Sequence, residues 1–296
     1  MSTPKKNFII LGNTGFVGKN LHLYLNKKNK NSKVYGFGSK KIDLSKREKA
    51  KKLLKYINKN SVIFFLSFNK TQRNASVKDL EKNLRIVKNF NETIKIRKPK
   101  KIIFFSTQSV YGEDTNNLNT TEKTIPDPTS YYGIAKYLAE RLLKKICAEM
   151  GIDLIIARIP RVYGKGDSIK NYGPTKFLDY FIKNKDLEMW GNGEEKRDYI
   201  YINDLNKIIF KLANKTFSGL INVCSGRPYS FSNLISMLEE VTNKKLKIKK
   251  LRRTRKKAHH IMNNSLLKKT LSGYKFSNLK ENLGKLYENH KYDEFS

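Results

Sequence analysis

The chain has 296 residues, 39% of them hydrophobic, which is enough to bury a sizeable core, and its recurring apolar runs exclude the disordered class despite 29% charged residues. The 61 basic and 26 acidic residues give a net charge of +35, but the basic residues are spread along the chain and their densest run, 244–253, has no interleaved aromatics, so no nucleic-acid partner is expected. Cys147 and Cys224 are too few for a disulfide framework and lack metal-ligand spacing with any histidine, and no apolar run reaches the ~18 residues of a membrane helix, so the expectation is a cytoplasmic protein with neither metal nor membrane contact.

The first half alternates short apolar runs with amphipathic stretches. Strands are expected at 8–11, 33–37, 62–66, 101–106 and 154–158, and helices at 15–26, 45–58, 77–96 and 131–150. That alternation predicts an α/β fold, a doubly wound parallel sheet of the Rossmann type. Beyond residue 164 the pattern breaks into glycine-bearing loops, a strand at 199–202, a helix from Asn203, a strand at 220–224 and a helix from Ser230. Leu246 and Ile248 alternate with lysines as a half-exposed strand would. The expected division is a dinucleotide-binding domain over 1–164 plus about 198–222, and a smaller, discontinuous substrate-binding region over 165–197 and 223–296.

After the first apolar run comes Gly12-Asn13-Thr14-Gly15-Phe16-Val17-Gly18, a glycine turn leading from strand to helix. Gly12 permits the tight turn, Gly15 lets the backbone approach a pyrophosphate, and Gly18 lets the helix pack closely on the strand; the helix N-terminus then faces the anion. This spacing resembles that of the short-chain dehydrogenase/reductase superfamily. At the end of the second strand, an acid would bind the ribose hydroxyls of NAD and a basic residue would accommodate a 2′-phosphate. Here Gly38, Ser39, Lys40 and Lys41 follow Phe37, which favours NADP, with NAD as the alternative. Asp43, followed by Leu44 and Ser45, either approaches the adenine or serves as a helix cap.

Tyr132 and Lys136 are four residues apart and share a helix face. An ammonium beside a phenol favours the phenolate, so the pair is expected to bring the phenol's proton exchange towards neutral pH, with Lys136 also placed to hold the nicotinamide ribose. Upstream, strand 102–105 runs into Ser106-Thr107-Gln108-Ser109-Val110-Tyr111-Gly112 and so places hydroxyls at the carboxyl edge of the sheet, where open α/β sheets bind ligands.

The glycine loop, the 106–112 segment and the Tyr132–Lys136 segment, in this order, resemble the extended short-chain dehydrogenase/reductase family that acts on nucleotide sugars. The likeness continues through Arg158-Ile159-Pro160-Arg161, Gly191-Asn192-Gly193-Glu194, Arg197-Asp198-Tyr199 and Asn222-Val223-Cys224-Ser225-Gly226, nearly the whole chain. It implies that Thr107 bonds the substrate's C4 oxygen, that Tyr132 is the acid/base with Lys136 its activator, and that Asn83, Leu66, Ser67 and Ile159 lie along the cofactor. It further implies that Gln108, Ser109, Arg161 and Arg197 face the substrate, Arg197 at the diphosphate, and that a homodimer forms through helices 77–96 and 131–150.

Three outcomes share this machinery: 4-epimerisation, 4,6-dehydration and reduction of a 4-keto sugar. Dehydratases of the family carry Asp-Glu after the catalytic Thr; Gln108 and Ser109 stand there, and neither can move a proton at carbon. Arg161 replaces the Asn that many epimerases direct at the nucleotide sugar. The leading expectation is NADPH-dependent reduction of a nucleotide-linked 4-keto (6-deoxy) sugar, ahead of an NAD-dependent 4-epimerase and of a non-catalytic dinucleotide-binding protein.

Overall fold

The structure is a computed structural model that describes residues 6–28, 32–69, 75–114, 116–167, 173–253 and 256–294. It divides into two compact units: residues 1–113, 122–159 and 206–222 form the first, and 114–121, 160–205 and 223–296 the second.

The first unit is built on six strands: β1 (Asn7–Leu11), β2 (Lys33–Phe37), β3 (Val62–Phe65), β4 (Lys101–Thr107), β5 (Asp153–Ile159) and β6 (Gly219–Asn222). They pair entirely in parallel in the order β6-β5-β4-β3-β1-β2. Both faces are covered, so the strands read as continuous apolar runs rather than alternating ones. Ile9, Leu11, Ile63, Phe65, Ile102 and Phe104 join one core, with helices α2 (Val77–Ile96) and α3 (Tyr131–Met150) contributing Val87, Phe90, Ala139 and Leu143. Phe8 meets Phe210 of the helix Ile202–Asn214 edge-on, at a ring-centroid distance of 6.3 Å.

Helix α1 (Phe16–Lys28) follows the glycine loop directly. A capping box between Ser76 and Asp79 starts α2, while Ser130 starts α3 by accepting the Gly133 N–H at 3.0 Å, and left-handed Gly151 ends it. The helix expected at 45–58 is instead one short turn, Arg47–Ala50, continued by a 3₁₀ segment, Lys51–Lys55. Ala50, Leu53 and Ile57 are buried at the i, i+3, i+7 spacing that suggests a helix.

The second unit is assembled from short, distant pieces. The strand Lys196–Tyr201 pairs antiparallel with Pro228–Ser230 and parallel with Arg161–Tyr163, while His260–Met262 bridges it to Asn117–Thr120. Leu187–Trp190 pairs in parallel with Ile248–Leu251, which is the part of 244–253 that forms strand. Phe177, Phe181, Tyr199, Leu234 and Leu238 belong to this unit's own core.

Candidate active site

Gly12 lies at φ +96°, and its N–H donates to Phe37 O at 2.7 Å, which ties the ends of β1 and β2 together. A Cβ there would press on Leu66 C and Ser67 N at 3.1 Å, so the first turn of the loop abuts the segment leaving β3. At Gly18 a Cβ would overlap Gly12 O and lie 2.9 Å from Asn13 Cα, so α1 is packed directly on the turn. A Cβ at Gly15 would meet only Gly12 O, at 3.7 Å. The loop therefore presents the open, side-chain-free helix start that a pyrophosphate requires. The Thr14 side chain fills the space beside Gly38, and the Lys41 and Ile42 N–H groups both close on Gly38 O at 3.0 Å, which leaves Ser39 and Lys40 exposed on a tight turn. Asp43 turns back on its own chain: Oδ1 accepts from Ser45 N at 3.0 Å and from Ser45 Oγ at 2.6 Å, and these bonds hold its carboxyl below the usual range.

The segment after β3 links this loop to Tyr132 and Lys136. Asn83, buried on α2, accepts from Asn69 N at 2.7 Å and donates to Asn69 O at 3.0 Å, fixing the end of Leu66-Ser67-Phe68-Asn69. Phe68 lies under the Lys136 ammonium at 3.9 Å from ring centroid to Nζ, and Lys136 Nζ also donates to Phe105 O at 2.6 Å. The same ammonium stands 5.8 Å from the Tyr132 ring centroid. Thr107 and Ile159 sit opposite each other in the last rungs of β4 and β5. Thr107 Oγ1 accepts from Ser109 N at 3.2 Å, and Gln108 is buried with its Oε1 lacking a hydrogen-bond partner among the described residues. A Cβ at Gly133 would approach Ser109 O to 2.9 Å, so the first turn of α3 is packed against the Thr107 segment.

The environment of Tyr132 departs from the sequence expectation. Burial, and then the Glu113 carboxylate, push its phenol well above the ordinary value. Glu113 accepts from Thr129 Oγ1 at 3.0 Å, Ser130 N at 3.1 Å and Ser130 Oγ, so it is fixed at the start of α3. Lys136 is directed at Phe105 O and Phe68, and the phenolate is not the favoured form.

One more residue went unremarked in the sequence. Glu140, one turn beyond Lys136, accepts from Ser106 Oγ and receives Arg158 in a two-pronged ion pair at 3.0 and 2.6 Å. The Arg158 guanidinium lies 4.5 Å from the Tyr111 ring centroid, and Tyr111 OH donates to Asn222 Oδ1 at 2.7 Å. The 132, 136, 140 spacing is the signal that could have found Glu140.

Arg161 and Arg197 belong to the second unit. Arg161 pairs opposite Tyr199. Arg197 is buried, with Nη1 donating to Ala258 O and, at 3.2 Å, to Lys196 O; Nη2 stands 3.6 Å from Glu195. Burial lowers its pKa; Glu195 opposes that and Arg161 adds to it. The neighbouring Asp198, fully buried, accepts from Ser225 N, Ser225 Oγ and Gly226 N at 3.1, 2.7 and 2.8 Å. Burial pushes its carboxyl up to about 6.

The sequence profile of the NAD dependent epimerase/dehydratase family matches residues 8–224. The chain belongs to that family. It is 26% identical over 245 residues to GDP-6-deoxy-D-talose 4-dehydrogenase of Aggregatibacter actinomycetemcomitans, an alignment covering 81% of this chain and 82% of that one. Several other curated relatives align over only about half of their own length. Among solved structures, Thermus thermophilus UDP-glucose 4-epimerase in complex with NAD superposes with a TM-score of 0.83 at 19% identity, covering 96% of this chain and 99% of that one. The Pseudomonas aeruginosa protein RMD in complex with NADPH superposes with a TM-score of 0.84 at 20% identity, covering 99% and 100%. At these identities the two structures establish the fold. The family is one of nucleotide-sugar epimerases, dehydratases and reductases that use a nicotinamide dinucleotide. Among the described residues, no helix is long and apolar enough to cross a membrane.

Proposed function

We propose that this chain is an NADPH-dependent reductase of a nucleotide-linked 4-keto-6-deoxy sugar, acting at C4. The observation that carries this reading is the turn after β2, where Gly38 O takes the Lys41 and Ile42 N–H groups and holds Ser39 and Lys40 exposed, as a 2′-phosphate requires; burial and Glu113 raise the Tyr132 phenol, so it stands protonated. Bound NADPH would supply the hydride. Tyr132 then protonates the C4 oxygen and Thr107 polarises it, while Gln108, whose buried Oε1 lacks a donor, accepts from a substrate hydroxyl. The open backbone at Gly15 receives the pyrophosphate, and Ser39 and Lys40 receive the 2′-phosphate. Leu66, Ser67, Asn83 and Ile159 line the cofactor's course, and Lys136 holds the ribose. Gln108 and Ser109 argue against dehydration, because neither is a carboxylate. In the second unit, Arg161 is assigned to the nucleotide sugar and Arg197 to its diphosphate, which asks Arg197 to exchange contacts with its own chain for contacts with an anion.

The second reading, a 4-epimerase holding NAD, is favoured by the likeness to an epimerase that binds NAD. We assign a homodimer through α2 and α3, which expose Val77, Ile96, Leu138 and Leu142. The test offers GDP- and dTDP-linked 4-keto-6-deoxy sugars with NADPH. Stoichiometric loss of absorbance at 340 nm is expected. Copurified NAD with interconversion of 4-hydroxy epimers, and no NADPH consumption, would overturn the reductase in favour of the epimerase.

A further inference from the structure

A cavity of about 490 Å³ lies along the later turns of α3, bounded also by β5, the start of β6 and residues 122–126. Every lining residue belongs to the first unit, and none is among the groups assigned above to cofactor or substrate. Its walls are apolar, formed by Ile125, Pro126, Ile152, Leu154, Ile156 and Leu220, and Ile125 is 83% exposed beside it.

The charged lining is unbalanced. Lys123, Arg141, Lys144 and Arg158 face two carboxylates, Glu122 and Glu140. Both carboxylates are already engaged, Glu140 by Ser106 and Arg158, Glu122 by the Asn222 N–H at 2.8 Å. Arg158 is only 3% exposed, and its Nη1 has no hydrogen-bond acceptor among the described residues. Arg158 is already ion-paired with Glu140, so it reaches the cavity as a positive field rather than as an open donor. Arg141 and Lys144, both exposed, add a positive field on the same side of α3.

We infer that this cavity binds a small amphipathic anion, with a carboxylate or sulfonate head against Arg141, Lys144 and Arg158 and an aromatic or short aliphatic body against Ile125, Ile156 and Leu220. A neutral apolar molecule would leave Arg141 and Lys144 without an anion, and a bare inorganic anion would leave the apolar part of the walls wet.

The test uses the whole chain and 8-anilinonaphthalene-1-sulfonate, followed by its fluorescence. Saturable emission is expected, displaced by octanoate and not by octanol at equal concentration. Ala148 lines the cavity from an exposed position on α3, so Ala148→Trp should fill it without disturbing the core and weaken the dye about tenfold or more. The pair Arg141→Glu and Lys144→Glu should weaken it comparably, with circular dichroism and NADPH affinity unchanged in both variants. Dye binding indifferent to these substitutions would overturn the inference. So would displacement of the dye by NADPH, mole for mole, because that places it on the dinucleotide loop.

Discussion

The two units hold their buried polar groups on different scaffolds. In the first, Tyr132, Lys136 and Glu140 follow one another along a single helix face, and their partners stand at the ends of adjacent strands: Phe105 O, Ser106 and Arg158. In the second, Arg197 and Asp198 are neighbours on one strand, and their partners, Ala258 and Ser225, stand on loops of other segments rather than on helices or strands. A group held by local periodicity can be removed while its scaffold persists. A group that joins distant segments carries the fold of its unit as well as any contact with a ligand. The first unit should therefore separate chemistry from stability under mutation, and the second should not.

The largest expected effect tests the first half of that contrast. Tyr132→Phe removes the proposed proton donor and keeps the ring, so turnover should fall by about 10³-fold, within the range of general acid catalysis. NADPH affinity, read by fluorescence titration, and the melting temperature should stay near wild type. A variant that loses stability along with activity would erase the distinction between the units.

The second half is tested by pH. Asp198 sits at about 6 when folded, against 3.8 for a free carboxyl. The folded state thus binds the proton more tightly than the unfolded one. Its contribution is fully present below pH 4 and is lost as pH rises through 6, to a limit of about 3 kcal/mol. Urea unfolding of wild type and Asp198→Asn between pH 4 and 7.5 should give a stability difference that changes across this window. A constant difference would show that the carboxyl is not strained by its burial. Smaller again is Gly18→Val, whose side chain must displace Gly12 O and Asn13. Overpacking of this kind costs about 1–3 kcal/mol, and the loss should appear in NADPH affinity, about tenfold or more, as well as in thermal stability.

What the sequence made legible follows the same division. Strands β1 to β5, helices α2 and α3, the glycine loop and the Tyr132–Lys136 pair were readable because each is announced by a local period or by a glycine that backbone geometry demands. The pairing of Leu187–Trp190 with Ile248–Leu251, and of Asn117–Thr120 with His260–Met262, has no local signal, because strand register across such distances is set by tertiary packing. Glu113 went unseen for the same reason. Its effect on Tyr132 depends on where the chain bends before α3, and it adds to burial, the larger cause, in reversing the direction that the Lys136 spacing alone suggests. Phe68, which no local pattern singles out, takes up the Lys136 ammonium.

The smallest predicted effect concerns the cofactor, where local geometry and composition point the same way with different force. One residue in five is basic in this chain, so Lys40 is weak evidence as a letter. Its backbone is better evidence. Gly38 has no space for a side chain beside Thr14, and its carbonyl takes the N–H groups of Lys41 and Ile42, so the turn that presents Ser39 and Lys40 is fixed before any ligand arrives. Lys40→Asp would then exchange a cation suited to a 2′-phosphate for an acceptor suited to a ribose hydroxyl, without moving the turn. The preference for NADPH over NADH, measured as the ratio of the two dissociation constants, should fall about tenfold, or ~1.4 kcal/mol. A ratio that does not move would take Lys40 out of cofactor recognition and with it the main structural reason for preferring NADP, leaving the NAD-holding epimerase as the reading to pursue.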